Sequence, residues 1–180
     1  MTEEQKKHQK KINALKKALA SDNEKKILEA IKDAREEGDE QLIPALVNIL
    51  QAPSNNKVKD ETFKLLYDLK SQKTVWPLIQ EIEKVTDRTL KAQLIAVFWQ
   101  AGLDASEYLD ELIKWAMDED FFVANEAITV LENICPTVSE EDLMNYLYDI
   151  SDEINSLEDE NPRKNLLLSL AEILKTYPVE

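Results

Sequence analysis

The side chains that most often carry out catalysis or bind metals are scarce in this chain of 180 residues. It contains one histidine, His8, one cysteine, Cys135, and two glycines. These counts exclude a two-histidine metal site, a disulfide framework, a multi-cysteine metal site and a glycine-rich phosphate loop. No neighbour in sequence would orient His8 or activate the Cys135 thiol. We therefore expect a solvated histidine and an inert, packed cysteine.

Two short acidic runs, Asp118-Glu119-Asp120 and Glu158-Asp159-Glu160, carry the carboxylates that a hard cation prefers. Neither run has the alternating oxygen ligands or the central glycine of a calcium-binding loop. We interpret both as helix caps and solvated turns, and we predict that the protein holds no metal and no other cofactor.

The charge is strongly acidic and unevenly placed. There are 22 Lys and Arg against 36 Asp and Glu, a net charge of −14 with a pI near 4.6, which argues against nucleic-acid and anionic-membrane binding. Residues 1–37 hold 10 basic and 8 acidic side chains, whereas residues 104–160 hold Lys114 alone against 18 acids. We expect the N-terminal lysines to be a solvated helix face, with contact to anionic lipid or nucleic acid the less favoured alternative. The acidic segment either solubilises the surface or attracts a basic partner.

The start of the chain lacks the apolar stretch of a signal peptide, and the longest apolar runs, such as residues 95–99, are far shorter than a membrane span. We expect a cytoplasmic protein that does not bind membranes.

Apolar residues recur at steps of three and four residues along most of the chain, as in Leu90, Leu94, Val97 and Ala101. Short breaks of turn-forming residues separate these stripes, and no stretch alternates strictly over the length of a strand. The pattern predicts an all-α fold of about ten helices, each of about 12–18 residues.

These helices repeat with a period near 33 residues, and two kinds of helix alternate. In the first helices, the apolar columns are Ile43, Trp76, Leu109 and Met144, then Leu46, Ile79, Leu112 and Leu147, then Ile49, Ile82, Trp115 and Ile150. In the second helices, the columns are Val58, Leu90, Val123 and Pro162, then Phe63, Ile95, Ile128 and Leu167, then Leu66, Phe98, Leu131 and Leu170. Such a register predicts a solenoid, in which each helix pair buries its faces against its neighbours.

Local signals agree with this register. A short side chain that can cap a helix stands three residues before the first column of each second helix, at Asn55, Asp87, Asp120 and Asp159. Gly38 and Gly102 stand where second helices end, a position that favours a left-handed residue. Pro44 and Pro77 occupy equivalent first-turn positions, which tolerate a missing N–H group.

The stretch Gly38-Asp39-Glu40-Gln41-Leu42-Ile43-Pro44-Ala45-Leu46, with Asn55-Asn56-Lys57-Val58-Lys59, resembles the HEAT-repeat signature, in particular the short HEAT-like repeats of phycobilisome-lyase relatives. The resemblance covers about residues 22–177, and the third repeat departs from it at Asp110 and Ala124. It implies a right-handed α–α superhelix, a HEAT- or armadillo-like solenoid of about five helix pairs in a single domain, 1–180. Residues 1–37 would be a capping helix pair, 38–135 the best-matching repeats and 136–180 a divergent C-terminal repeat.

HEAT arrays mostly serve as binding scaffolds, although some are enzymes. The hydroxylases among them need several His–Glu pairs, the DNA glycosylases need a basic concave surface, and the bilin lyases need basic and aromatic groups that grip propionates. This sequence lacks those features. We therefore predict a non-catalytic protein, with a lyase-related enzyme as the least favoured alternative.

A candidate binding surface follows from helical geometry. At about 100° per residue, Trp99 points away from the apolar stripe of its helix, and Tyr67 and Glu132 hold the equivalent positions in neighbouring repeats. Second helices line the concave face of HEAT-like arrays, so the resemblance implies that Tyr67 and Trp99 stand side by side there. The predicted binding residues are Tyr67, Asp68, Trp99, Gln100, Asn125, Glu126 and Glu132.

Exposed aromatic side chains among acidic ones suit a basic, partly apolar polypeptide as the partner. We therefore predict a protein-binding scaffold or adaptor. Two alternatives stay open: Tyr67 and Trp99 are core residues, or the chain is a structural or regulatory subunit that associates with itself.

Overall fold

The computed structural model describes residues 2–37, 39–53, 55–118 and 120–180. In these residues the chain forms ten α-helices: α1 (Glu3–Leu19), α2 (Glu24–Glu37), α3 (Ile43–Gln51), α4 (Asn56–Tyr67), α5 (Val75–Ile82), α6 (Arg88–Ala101), α7 (Leu109–Ala116), α8 (Phe121–Glu132), α9 (Glu140–Ser156) and α10 (Arg163–Leu174). The described part has no β-strand, only an isolated parallel bridge between Val138 and Val179. The all-α prediction is therefore confirmed.

The chain folds into two compact units. The first unit comprises Met1–Val85 and Gln100–Leu103, and it contains α1 to α5. Within it, α1 packs on α2, α2 packs on α4, and α3 packs on both α4 and α5. Its core consists of the apolar stripes of these helices, with Ile12, Ile31, Leu46, Leu66 and Ile79 among the buried side chains.

The second unit comprises Thr86–Trp99 and Asp104–Glu180, and it contains most of α6 together with α7 to α10. Within it, α7 packs on α8, and α10 packs on both α8 and α9. The buried Phe98 ring of α6 stacks on the buried Trp115 ring of α7, with the ring centroids 6.4 Å apart. None of the helices in the described residues is both long and apolar enough to cross a membrane.

Each of three first helices is preceded by a 3₁₀ turn, at Glu40–Leu42, Gln72–Thr74 and Ser106–Tyr108. These turns make α3, α5 and α7 only 9, 8 and 8 residues long, shorter than the sequence predicts. In each case the 3₁₀ turn includes the first residues of the apolar stripe. In α3, Pro44 also has no N–H group, so it cannot donate the backbone hydrogen bond that would extend the α-helix towards its N-terminus.

The apolar columns are largely where the sequence places them. Two columns are buried in all four repeats: Ile49, Ile82, Trp115 and Ile150, and Leu66, Phe98, Leu131 and Leu170. The first column is wrong at two positions, because Trp76 is 45% exposed and Met144 is 63% exposed. In α5, Val75, Leu78, Ile79 and Ile82 form the buried stripe, so Val75 rather than Trp76 is the equivalent of Ile43.

Three of the four predicted N-terminal caps are confirmed. Asn55 accepts from the backbone N–H of Lys57, Asp87 from that of Leu90, and Asp120 from those of Phe122 and Val123, at 2.8–3.1 Å. The left-handed backbone predicted at Gly102 is confirmed by its φ of 66°, and the one predicted at Gly38 lies outside the described residues.

The cap predicted at Asp159 is wrong. Helix α10 begins at Arg163, and the side chain of Asn161 accepts from the Arg163 backbone N–H at 2.9 Å. Asp159 accepts from Nζ of Lys164 instead, also at 2.9 Å, and this hydrogen bond lowers the pKa of the carboxyl group. The acidic insertion before α10 displaces the helix start by three residues from the position that the repeat register predicts.

Candidate functional site

Trp99 lies near the end of α6, beside the stripe that α6 buries. Leu94, Val97 and Phe98 of this helix are fully buried, whereas the Trp99 side chain is 37% exposed. The rotation of about 100° per residue carries Trp99 out of the core, as the helical geometry predicts. An indole in this position offers a ring to solvent from a rigid helical support.

A carboxylate of the neighbouring helix holds this indole in place. Nε1 of Trp99 donates a hydrogen bond to Oε2 of Glu126, on α8, at 2.9 Å. We call Trp99 and Glu126 the indole–carboxylate pair. The electron-rich ring face attracts cations, and the carboxylate beside it carries a full negative charge. One Lys or Arg side chain of a partner can therefore interact with both groups.

The exposed side of α8 extends this surface. Phe122, Glu126 and Thr129, with Asn133 just after the helix, follow one another at helical spacing along one stripe. Phe122 and Asn133 are exposed and Glu126 and Thr129 are half-buried, whereas Val123, Ala127, Val130 and Leu131 are buried. Phe122 is 69% exposed and packs edge-to-face on Phe121, with the centroids 5.8 Å apart. Phe122 is not among the binding residues that the sequence predicts. The signal that would have found it is its spacing of four residues from Glu126.

The remaining predicted residues of α8 lie beside this stripe. Asn125 is half-buried, and its backbone carbonyl accepts from Oγ1 of Thr129 at 3.0 Å. Glu132 is exposed at the end of the helix. The structure thus brings Trp99, Asn125, Glu126 and Glu132 into the second unit, with a direct contact between Trp99 and Glu126.

Three predicted residues belong to the first unit. Tyr67 is half-buried and stacks on Phe63, with centroids 5.8 Å apart, and Asp68 pairs with the guanidinium of Arg35. Gln100 is exposed. The side-by-side arrangement of Tyr67 and Trp99 stays a prediction.

The two units differ sharply in charge. The segments of the first unit contain 16 Lys and Arg against 15 Asp and Glu, a formal charge of +1. The segments of the second unit contain 6 Lys and Arg against 21 Asp and Glu, a formal charge of −15. The indole–carboxylate pair therefore lies in the unit that carries the negative field, and this field favours the approach of cations.

His8 and Cys135 differ from what the sequence predicts. His8 is exposed as expected, but Asp39 and Glu37 orient its ring, with Nε2 2.7 Å from Oδ2 of Asp39 and Nδ1 3.7 Å from Oε2 of Glu37. These partners are 29 and 31 residues away in sequence, so no local pattern reveals them. Cys135 is exposed rather than packed, because it follows the end of α8 in the segment that leads to α9.

The first acidic run is engaged in local contacts. Asp118 pairs with Arg88 at 2.7 Å and accepts from the backbone N–H of Asp120 at 2.9 Å, and Asp120 caps α8. Glu119 lies outside the described residues. Over the described positions, no three His, Cys, Asp or Glu side chains are grouped so that they could hold a metal ion.

Comparison with known proteins found no family model that matches this chain and no match among curated proteins. The HEAT-repeat assignment therefore stays a prediction that rests on the sequence signature.

Proposed function

We propose that this chain is a non-catalytic, HEAT-like scaffold that binds a basic, partly apolar polypeptide on its second helices. The right-handed solenoid of about five helix pairs belongs to this proposal. Its support is the recurring unit of 3₁₀ turn, short helix and longer helix, whose first helices begin at Ile43, Val75 and Leu109, 32 and 34 residues apart. A cytoplasmic setting and a lack of bound cofactor are further parts of the proposal.

The observation that carries the proposal is the hydrogen bond between Trp99 Nε1 and Glu126 Oε2. It keeps an exposed indole and a carboxylate together without further ordering, so a partner's Lys or Arg meets a preorganised site. A cation–π contact at an exposed site contributes about 0.5–1 kcal/mol, and a surface ion pair contributes about 0–1 kcal/mol. Apolar contact with Trp99 and Phe122 adds the anchor energy that charges alone do not supply.

The experiment uses the full chain and a synthetic peptide of Arg, Lys and Leu residues as the probe. With ¹⁵N-labelled protein, we expect the Trp99 indole N–H resonance to shift on titration while that of Trp76, in the first unit, stays in place. A peptide with the same Leu positions but Glu in place of Arg and Lys should leave both resonances unchanged. Equal shifts with both peptides would contradict the proposal.

Substitutions then distinguish the contribution of the Trp99 ring from that of the nearby negative charges. Trp99→Ala should weaken peptide binding by about 1–3 kcal/mol, mainly through faster dissociation, whereas Trp76→Ala should leave it unchanged. Glu126→Gln and Glu132→Gln remove the same charge from the same helix, so both should slow association slightly. Only Glu126→Gln should also speed dissociation, because only Glu126 belongs to the indole–carboxylate pair. Identical dissociation rates for the two variants would contradict the assigned site.

A further inference from the structure

A groove in the first unit is bordered mainly by cationic side chains, although the chain as a whole is acidic. It runs between α2 and α4, and Leu28 and Ile31 form its apolar floor. Four cationic side chains border it: Lys32, Arg35, Lys57 and Lys64. Glu61 is the one carboxylate among the residues that line it.

Two of these cations pair with carboxylates, and the other two form no ion pair within the part of the chain that the structure describes. Arg35 pairs with Asp68, and Lys64 pairs with Glu61 at 2.8 Å, which lowers the pKa of the Glu61 carboxyl. Lys32 and Lys57 are exposed, and neither forms an ion pair with any residue that the structure describes. The groove therefore offers two lysines that form no direct ion pair among the described residues, above an apolar floor, although Lys57 also acts on Glu61 at longer range. The aliphatic stems of the lysines widen that apolar surface.

Helix α9 exposes a ridge of complementary chemistry. Met144 and Tyr148 are 63% and 72% exposed and stand one helical turn apart. Glu141 and Asp152 are exposed too, three residues before Met144 and four after Tyr148. These four side chains follow one stripe of the helix, two apolar anchors flanked by two carboxylates.

We propose that the groove between α2 and α4 binds the α9 ridge of a second copy of this chain. Met144 and Tyr148 would lie against Leu28 and Ile31, and the acids would face the lysines, in the manner of a helix seated in a groove. The complementarity of charge selects this occupant, because the groove is cationic in the unit of charge +1 and the ridge belongs to the unit of charge −15.

The two surfaces are different, so the contact is heterologous. Each bound copy still presents a vacant groove or a vacant ridge, and assembly continues as an open chain unless the rotation closes a ring. This inference concerns different residues from the indole–carboxylate pair and does not depend on it.

The test is sedimentation of two complementary variants. Lys32→Glu/Lys57→Glu reverses the charge of two lysines that border the groove. Met144→Glu/Tyr148→Glu replaces the two large exposed side chains of the ridge with carboxylates. Wild type should show an average mass that rises with concentration, and each variant alone should weaken self-association by at least about tenfold. An equimolar mixture should give a 1:1 dimer and nothing larger, because one intact ridge meets one intact groove.

Matched controls change charge or polarity elsewhere. Lys10→Glu/Lys17→Glu makes the same charge reversal on α1, and Leu168→Glu makes a comparable change at an exposed position of α10. Both should assemble like wild type, and circular dichroism should show the same helical content and melting for every variant. A wild type that stays monomeric at millimolar concentration would overturn the inference, as would folded variants whose mixture forms no dimer.

Discussion

A single hydroxyl ties the end of the chain to α8. Tyr177 is 5% exposed, and its Oη donates to the carbonyl oxygen of Leu131 at 2.7 Å. The adjoining backbone pairs with Val138, which donates to the Pro178 carbonyl and accepts from the Glu180 N–H. Burial raises the pKa of Tyr177 above its ordinary value, so the neutral, donating form is the one that the fold requires.

Tyr177→Phe should therefore lower the free energy of unfolding by about 1 kcal/mol at neutral pH, since it removes one buried hydrogen bond. A folded-state pKa above the unfolded value gives a contribution that is complete below about pH 10 and is lost as the pH rises further. The difference between wild type and variant should shrink at about pH 11. Urea unfolding of the two proteins at neutral pH and at about pH 11 measures this difference in the free energy of unfolding.

Tyr148→Phe is the control, because this hydroxyl is on an exposed side chain of α9 and its loss should change stability by less than about 0.5 kcal/mol. A deficit of Tyr177→Phe that stays constant with pH would contradict the assigned role.

At the scale of the elements, the sequence predicts the features that depend on one helix alone, such as which of its faces is buried. Helical periodicity and the 33-residue register identify the buried columns through Leu66, Phe98 and Leu131, because each helix has one face to bury. The same register misplaces Trp76 and Met144, since a connection shorter or longer by one residue rotates the next helix by about 100°. Propensity does not mark the 3₁₀ turns that shorten α3, α5 and α7.

The candidate site likewise contains features that the sequence predicts and features that it does not. The exposure of Trp99 follows from its position on α6 alone, so the sequence predicts it. Its hydrogen bond to Glu126 depends on how α6 and α8 are placed within the second unit, and no pattern in one helix encodes that. The contacts of His8 with Asp39 and Glu37 escape prediction for the same reason.

In the proposed stack of helix pairs, the stability lost on truncating a buried side chain depends on how many neighbouring helices surround the resulting cavity. Leu112 of α7 is fully buried, whereas Leu15 of α1 belongs to the proposed capping pair. We expect Leu112→Ala to cost about 4–5 kcal/mol and Leu15→Ala about 2–3 kcal/mol, within the range for a buried leucine truncation. Because the chemical change is identical, chemical denaturation of the two variants compares position alone. Equal losses would contradict the nearest-neighbour architecture.

At the scale of the whole molecule, the charge distribution decides which partners approach. The formal charge of −14 arises almost entirely from the second unit, whose segments carry −15 against +1 for the first. A field of one sign accelerates encounters with cations and repels polyanions, and salt weakens it over a Debye length of about 8 Å at physiological ionic strength.

The association rate of a basic peptide should therefore fall about tenfold between low and high salt, while its dissociation rate changes little.

Glu132→Gln/Glu140→Gln, in the second unit, should slow association at low salt. Glu29→Gln/Asp33→Asn removes the same charge from exposed positions of α2 and should slow it less, because the net negative charge belongs to the second unit. Trp99→Ala should keep the salt dependence of wild type and change only dissociation. Stopped-flow kinetics over a series of salt concentrations measures all four proteins. Equal slowing by the two charge-removing variants would show that the net charge of the whole chain, rather than the charge of the second unit, governs the encounter.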